Sequence, residues 1–372
     1  MTTSRSLPPA KKLGYLLFLL PTAVLLATAA AAAHTGHWNA WAFAPLLVVF
    51  GIVPLLDALV GTDVANATRE EEESLRADRF YGALLVACIP AQLLALGVGL
   101  AIVVRAPLTP LGIVGWTLSL GIGSSVMAIT AGHELIHRGN RWLRIAGGVL
   151  LATVGYGSFK IEHVLGHHVH VATPADPSTA RVGDNAYAFV ARAFYTNIPR
   201  AWALEKAQAE RRGQAFGPFR SELLRWTLLT VLFLGVAGWL GGLVGALFFV
   251  GQAVVAIALL EVINFIEHYG LARRQVGSRG AYEVTTPAHS WNSNHLVSNL
   301  ILFQLQRHSD HHANAARPYQ VLRSLEVSPQ LPVGYPSMVL LALVPPLYRA
   351  VMEPRLRAAT TPVPVPVPVT TP

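Results

Sequence analysis

The chain has 372 residues, of which 53% are hydrophobic and only 13% charged, with a mean hydropathy of +0.45. A soluble chain carries about a quarter charged residues, so this apolar excess, gathered in long runs, excludes an ordinary water-soluble globule and points to a bilayer. One cysteine, Cys88, excludes a disulfide framework, a Cys-ligated zinc site and a four-thiolate iron centre, and a net charge of +8 on such a chain speaks for orientation and acidic lipids or partners rather than nucleic acid.

The predicted architecture is all-α, a six-span integral membrane protein with a cytoplasmic histidine-rich region. Residues 1–12 form a basic tail. Six stretches then reach the roughly 20 apolar residues that a crossing requires: 13–33, 38–60, 81–104, 110–132, 222–243 and 245–267. Lys11, Lys12 and an alanine-rich end give the first span some features of a signal peptide. A signal core runs only about 7–15 residues, so a retained helix is expected. Spans one to four, ending in a first histidine box, occupy 13–137. A region at 138–221 carries a second box, 222–268 holds spans five and six, and 269–358 carries a third box. The Pro/Val/Thr repeat at 359–372 is expected to be extended and disordered.

Basic residues set the orientation. Arg5, Lys11 and Lys12 flank the first span and 138–221 is rich in Arg and Lys, whereas the predicted outer loops carry only Arg105. The positive-inside rule therefore places both termini and the long connections in the cytoplasm. Asp57, Asp63 and the acidic run at 69–73 fall near or in the first inner loop, and the run is expected to be a solvated helix face. Apolar stretches at 143–157 and 337–351 are short for spans. Interfacial, re-entrant and bundle-packed placements all fit them.

Fourteen histidines are present, and most of them cluster. His133-Glu134-Leu135-Ile136-His137 ends the fourth span, and residues four apart share a helix face. Glu162-His163-Val164-Leu165-Gly166-His167-His168 follows, with His170 close behind. His268 ends the sixth span, and His308-Ser309-Asp310-His311-His312 closes the series. His34, His37, His289 and His295 stand alone and are expected to be structural. Buried imidazoles need partners, and nine candidate donors converge if 143–157 does not cross: His133, His137, His163, His167, His168, His268, His308, His311 and His312. A catalytic zinc needs three protein ligands and an open position, so nine suit two ions with room for oxygen. Imidazole accepts iron, copper, nickel and zinc, and ligand type alone does not choose among them.

At these residues the sequence resembles the membrane alkane 1-monooxygenase family, relatives of the membrane fatty-acid desaturases. The matching pieces are the three boxes, Asn264-Phe-Ile-Glu-His268-Tyr-Gly270, Ala172-Thr-Pro-Ala-Asp-Pro-Ser-Thr-Ala180 and Trp291-Asn-Ser-Asn294. Arg138 departs from the family's usual Lys after the first box but keeps the charge. The resemblance implies a non-haem diiron centre held by the nine histidines and insertion of one oxygen atom from O2 into a terminal methyl of an alkane. It also implies electrons from rubredoxin, or a ferredoxin in its place, with an NAD(P)H-dependent reductase. That carrier must be separate, because a fused rubredoxin needs four cysteines. A desaturase or another hydrocarbon or aryl-methyl hydroxylase of the superfamily is the main alternative. His133-Glu134-x-x-His137 also fits an intramembrane zinc protease, and a histidine-rich metal transporter is a non-catalytic reading.

An alkane offers no polar handle, so binding must come from burial, about 0.8 kcal/mol per methylene. Glu134, Glu162, Glu267 and Asp310 are the carboxylates expected to orient the imidazoles, with Glu134, Glu267 and Asp310 the catalytic candidates. Counting back from His133 by helical steps gives Ile129, Val126, Ile122 and Leu118 as a candidate substrate channel. Ile122 lies about 16 Å from His133 along the axis.

Overall fold

The computed structural model describes residues 9–217, 220–277 and 280–360. Among these, helices dominate, and the only sheet is the two-stranded hairpin pairing Gln275–Val276 with Ala281–Tyr282. Five helices are long and apolar enough to cross a bilayer: α1 (Ala10–Thr35), α2 (Trp38–Val60), α4 (Arg79–Arg105), α5 (Pro110–Ile136) and α9 (Glu222–His268). Between α2 and α4, the short α3 (Arg69–Ala77) starts with a capping box between Thr68 and Glu71. Asp78 caps α4 and Thr109 caps α5, where Pro110 supplies a pre-set first residue.

α9 contains the stretches predicted as spans five and six. Its helical bonding is broken at Gly242, whose φ of 58° and ψ of −148° suit glycine. Thr230 Oγ1 donates to Ala152 O at 3.0 Å, while Gln252 Nε2 donates to the adjacent Thr153 O, also at 3.0 Å. Residues 230 and 252 meet neighbouring carbonyls only if the chain folds back near 241. α9 is therefore a hairpin with arms 222–241 and 243–268.

The stretch 143–157 packs into the helix bundle and turns back on itself. Asn140 caps α6 (Arg141–Ala152), and α6 ends with the carbonyls of Ala152 and Thr153 against both arms of α9. The chain turns at Gly155, φ 66°. It returns through α7, a helical segment over 159–170 whose central turn, His163–His167, is a π-helix. A side chain at Gly148 would collide with the Trp226 indole and one at Gly157 with the Trp226 Cβ, so both glycines allow α6 and α7 to lie directly on the first arm. α8 (Ala186–Arg211) then crosses the inner end of the bundle.

The other ambiguous stretch, 337–351, becomes two helices beyond the short α10 (Leu296–Ile301) and α11 (His308–Ala313). These are α12 (Tyr335–Ala342) and α13 (Pro345–Thr360). They pack on the second arm, where Tyr348 lies 5.0 Å from Phe265 and 5.1 Å from Tyr269, ring to ring. α13 extends to Thr360, past the expected start of the terminal repeat, whose residues 361–372 lie outside the described part. The acidic run proves only partly solvated, because Glu72 accepts from Arg323 Nε at 2.8 Å and Nη2 at 2.6 Å. Asp57 is buried, accepting from Ser298 N at 3.0 Å.

Candidate metal centre

Three features of the chain deliver the histidines to one place. α5 ends with His133 and His137 one turn apart; the second arm of α9 ends on His268; and α7 and α11 bring the remaining boxes between them. The nine imidazoles fall into two groups, His133, His137, His163, His168 and His311 in one and His167, His268, His308 and His312 in the other. Within each group the ligand atoms all lie within 4.8 Å of one another. His34, His37, His170, His289 and His295 belong to neither. His289 instead joins Thr286 N at 2.9 Å and Glu283 at 3.2 Å.

The π turn explains part of this sorting. An α-helix puts residues four apart on one face, but a π turn bonds i to i+5. His163 therefore meets His168, with 2.9 Å between their Nε2 atoms. His167 is turned to the other group, where its Nε2 lies 3.2 Å from that of His312. Along α11, His308 and His312 stay together at 2.9 Å, while His311 reaches across to His168 at 3.1 Å.

These separations suit metal ligation. Two nitrogens about 2.1 Å from one ion and at right angles to each other sit about 3 Å apart. Nε2 of His133 and of His137 is buried without any hydrogen-bond partner, a costly state unless an ion receives the lone pair. Burial, and then the neighbouring imidazoles, hold His163, His168 and His312 well below the ordinary imidazole pKa; His308 and His311 are lowered in the same way. Neutral imidazole is the ligating form. At His167 burial also opposes charge, but the Asp176 carboxylate outweighs it and raises the pKa. Asp176 Oδ2 lies 2.9 Å from His167 Nδ1, which leaves Nε2 aimed at its group. The donor set fits two metal ions.

The carboxylates predicted from the boxes behave differently from expectation. Glu267 does reach an imidazole, with Oε2 3.2 Å from His308 Nε2, while Oε1 accepts from Tyr335 OH at 2.7 Å. Glu134 instead accepts from Tyr319 N at 3.1 Å and pairs with Arg138 at 2.8 Å. Glu162 pairs with Arg200 at 3.2 Å. Asp310 binds Arg317 Nη1 at 2.6 Å and Arg323 N at 2.9 Å. The reason is geometric, since helix neighbours one apart do not face each other. Asp176, nine residues from His167, takes the role instead. It was not singled out, although its place in Asp176-Pro-Ser-Thr gives a local signal: Ser178 N and Thr179 Oγ1 both donate to it.

The channel candidates are also re-sorted. Ser125–Thr130 is a π segment, so steps counted on a regular α-helix drift out of register above it. Ile129, Val126 and Ile122 are buried and Leu118 is partly so. Ile129 packs in the cluster containing Leu135 and Leu151, and Val126 in the one containing Ile263 and Leu302. A small cleft beside His133 and His311 is lined by Thr130, Glu134, Leu302, Phe303, Leu305 and Leu322, and none of the four channel candidates borders it.

Buried imidazoles sorted into two facing groups at one end of an apolar helix bundle define a membrane histidine-cluster metalloprotein of the desaturase and hydroxylase type. The fatty acid desaturase family model matches residues 108–341. Alkane 1-monooxygenase 1 of Pseudomonas aeruginosa is 46% identical over 94% of this chain and 91% of its own length. Alkane 1-monooxygenase 2 of Alcanivorax borkumensis is 45% identical with the same coverage. The xylene/toluene monooxygenase hydroxylase component of Pseudomonas putida is 29% identical over 67% of this chain. The chain belongs to the alkane 1-monooxygenase family, within the fatty acid desaturase superfamily.

Proposed function

We propose that this enzyme is a non-haem diiron monooxygenase that hydroxylates the terminal methyl of alkanes to 1-alkanols with O2. Its electrons come from a separate rubredoxin, or a ferredoxin, served by an NAD(P)H-dependent reductase. The enzyme lies in the plasma membrane with both termini and the histidine groups facing the cytoplasm. The observation that carries this reading is the division of nine histidines into groups of five and four, in a chain 46% identical to an alkane 1-monooxygenase.

Bound iron would supply dioxygen reduction and an oxidant strong enough to break an unactivated C–H bond. The chain's own residues do the rest. His133, His137, His163, His168 and His311 would hold one ion, and His167, His268, His308 and His312 the other. Neutral imidazoles present lone pairs without bringing charge into a buried site. Asp176 fixes the His167 tautomer, and Tyr335 holds Glu267 beside His308. Of the three catalytic carboxylates expected from the sequence, Glu267 is the one that reaches a ring, at the group-facing nitrogen of His308. Leu302, Phe303, Leu305 and Leu322, with Thr130 and Glu134, line a narrow cleft against the first group, and a methyl approaching there would be held by burial. The protease reading fares poorly: Glu134, its general base, is occupied by Arg138 and Tyr319.

Metal analysis of the purified chain together with octane turnover under isotopically labelled O2 tests the proposal. Two irons per chain and labelled 1-octanol are expected. An alkene would overturn it in favour of desaturation, and an alcohol whose oxygen comes from water would overturn the monooxygenase assignment.

A further inference from the structure

A second cavity, of about 320 Å³, has none of the nine candidate ligands in its lining, although Ile136, Val164 and Leu165 of the histidine boxes help to form it. Its walls come from the first turn of α6, the start of α7, the end of α8 and the first turn of α9. Arg141, Arg144, Lys160 and Arg212 line it, together with Glu205 and Glu222. Arg225, one turn along from Glu222, adds its field to both Lys160 and Glu222. Four cations thus line the cavity, with Arg225 nearby, against two carboxylates, and both carboxylates are already engaged. Glu222 pairs with Lys160. Glu205 accepts from Ser221 Oγ at 2.8 Å and from the first backbone N–H groups of α9. Arg144 Nη1 is taken up by the carbonyls of Arg138 and Gly139, and Arg141 lies over the Trp142 ring at 4.9 Å. Arg141, Arg212 and Arg225 are exposed, and none of the ion pairs among the described residues uses them.

The height of this cavity along the bundle is as telling as its charge. Two to three turns along α9 from Glu222, Leu228, Val231 and Leu232 are each more than half exposed, as a face in contact with lipid tails would be. Trp142 is 66% exposed beside the cavity rim, and indole favours the level where headgroups meet hydrocarbon. A cavity with an excess of basic side chains, on a helix that carries exposed apolar residues a few turns further along, is complementary to one kind of molecule.

We propose that this cavity binds the phosphate headgroup of an anionic phospholipid, whose acyl chains run along Leu228, Val231 and Leu232. The site is distinct from the metal centre. It would tie together α6, α7, α8 and α9, and α7 carries three of the candidate ligands.

Native mass spectrometry of the full-length protein, exchanged into equal amounts of phosphatidylglycerol and phosphatidylcholine, reads the preference directly. One retained phosphatidylglycerol per chain is expected. The triple variant Arg141→Gln/Arg212→Gln/Arg225→Gln, which removes no hydrogen bond or ion pair named above, should retain it at least about tenfold more weakly. The control Arg349→Gln/Arg355→Gln, on the exposed face of α13, should retain it fully. An unchanged metal content in the triple variant shows that it is folded. Equal retention of the two lipids, or equal retention by triple variant and parent, would overturn the proposal. So would displacement of the lipid by millimolar inorganic phosphate, which would make the cavity a free-anion site. Unchanged lipid retention with a raised KM for an acidic electron carrier would assign it to that carrier instead.

Discussion

The two histidine groups are built in different surroundings. In the four-histidine group polar side chains meet the rings: Asp176 on the outer nitrogen of His167, Ser290 Oγ 3.4 Å from His268 Nδ1, and Glu267 at Nε2 of His308, the nitrogen that faces the group. In the five-histidine group aromatic and aliphatic neighbours do so. Phe159 stacks on His163 with 4.5 Å between centroids, and the apolar cleft opens beside His133 and His311. Carboxylates behind an imidazole raise its basicity and fix its tautomer, whereas an apolar wall leaves room for a substrate that has nothing to hydrogen-bond. The lesson is a division of labour: one group is anchored electrostatically, and the other faces the hydrocarbon.

The largest expected effect breaks the anchored group. His268→Ala removes one of its four imidazoles and should abolish turnover and lower iron content, by metal analysis. His289→Ala, whose ring is tied to Thr286 and Glu283, should change neither. One tightly bound zinc with full activity in the parent protein would refute the diiron assignment.

Next in size is Asp176→Asn. Losing the carboxylate on His167 should weaken metal binding by about 10–100-fold. Titration with a chelator should show one ion released early and the other held, because no ring of the five-histidine group hydrogen-bonds Asp176. Equal loss of both ions would remove the distinction between the groups.

Substrate length tests the apolar side. Ile129→Trp should favour shorter alkanes, and Ile122→Ala or Leu118→Ala longer ones, if the route follows α5. Leu302→Ala, in the cleft itself, should loosen the choice of the terminal carbon. Each methylene is worth about 1–3 kcal/mol, so changes of about tenfold are expected across an octane-to-hexadecane series. An unchanged length profile in all three α5 variants, with iron intact, would move the channel elsewhere.

The smallest effect concerns acidity. His163, His168, His308, His311 and His312 sit below their ordinary pKa of 6.5 because burial penalises the charged ring. Below that pH the unfolded chain binds protons that the folded chain refuses, so stability falls as pH falls. Metal-free protein should therefore lose thermal stability progressively from about pH 7 to pH 5, whereas metal-loaded protein should resist until the ions leave. A flat melting temperature across that range without metal would contradict the neutral state of these rings.

Local chemistry made much of this legible in the sequence alone. Long apolar runs gave the helix positions, the break between the stretches 222–243 and 245–267 lay close to the turn inside α9, and the boxes supplied all nine rings, since ligand spacing and hydropathy are properties of neighbouring residues. Other features required the packed chain. The π turn at His163–His167 decided which ring joins which group, and its extra residue per turn leaves no mark in composition. Asp176 was preferred over the carboxylates inside the boxes because adjacent side chains on a helix diverge. The folded-back path of 143–157 depended on Gly148 and Gly157 meeting Trp226, far along the chain. Contacts such as His167 to His312, 145 residues apart, exist only when separate helices pack, and a periodic pattern carries no information about which faces will meet.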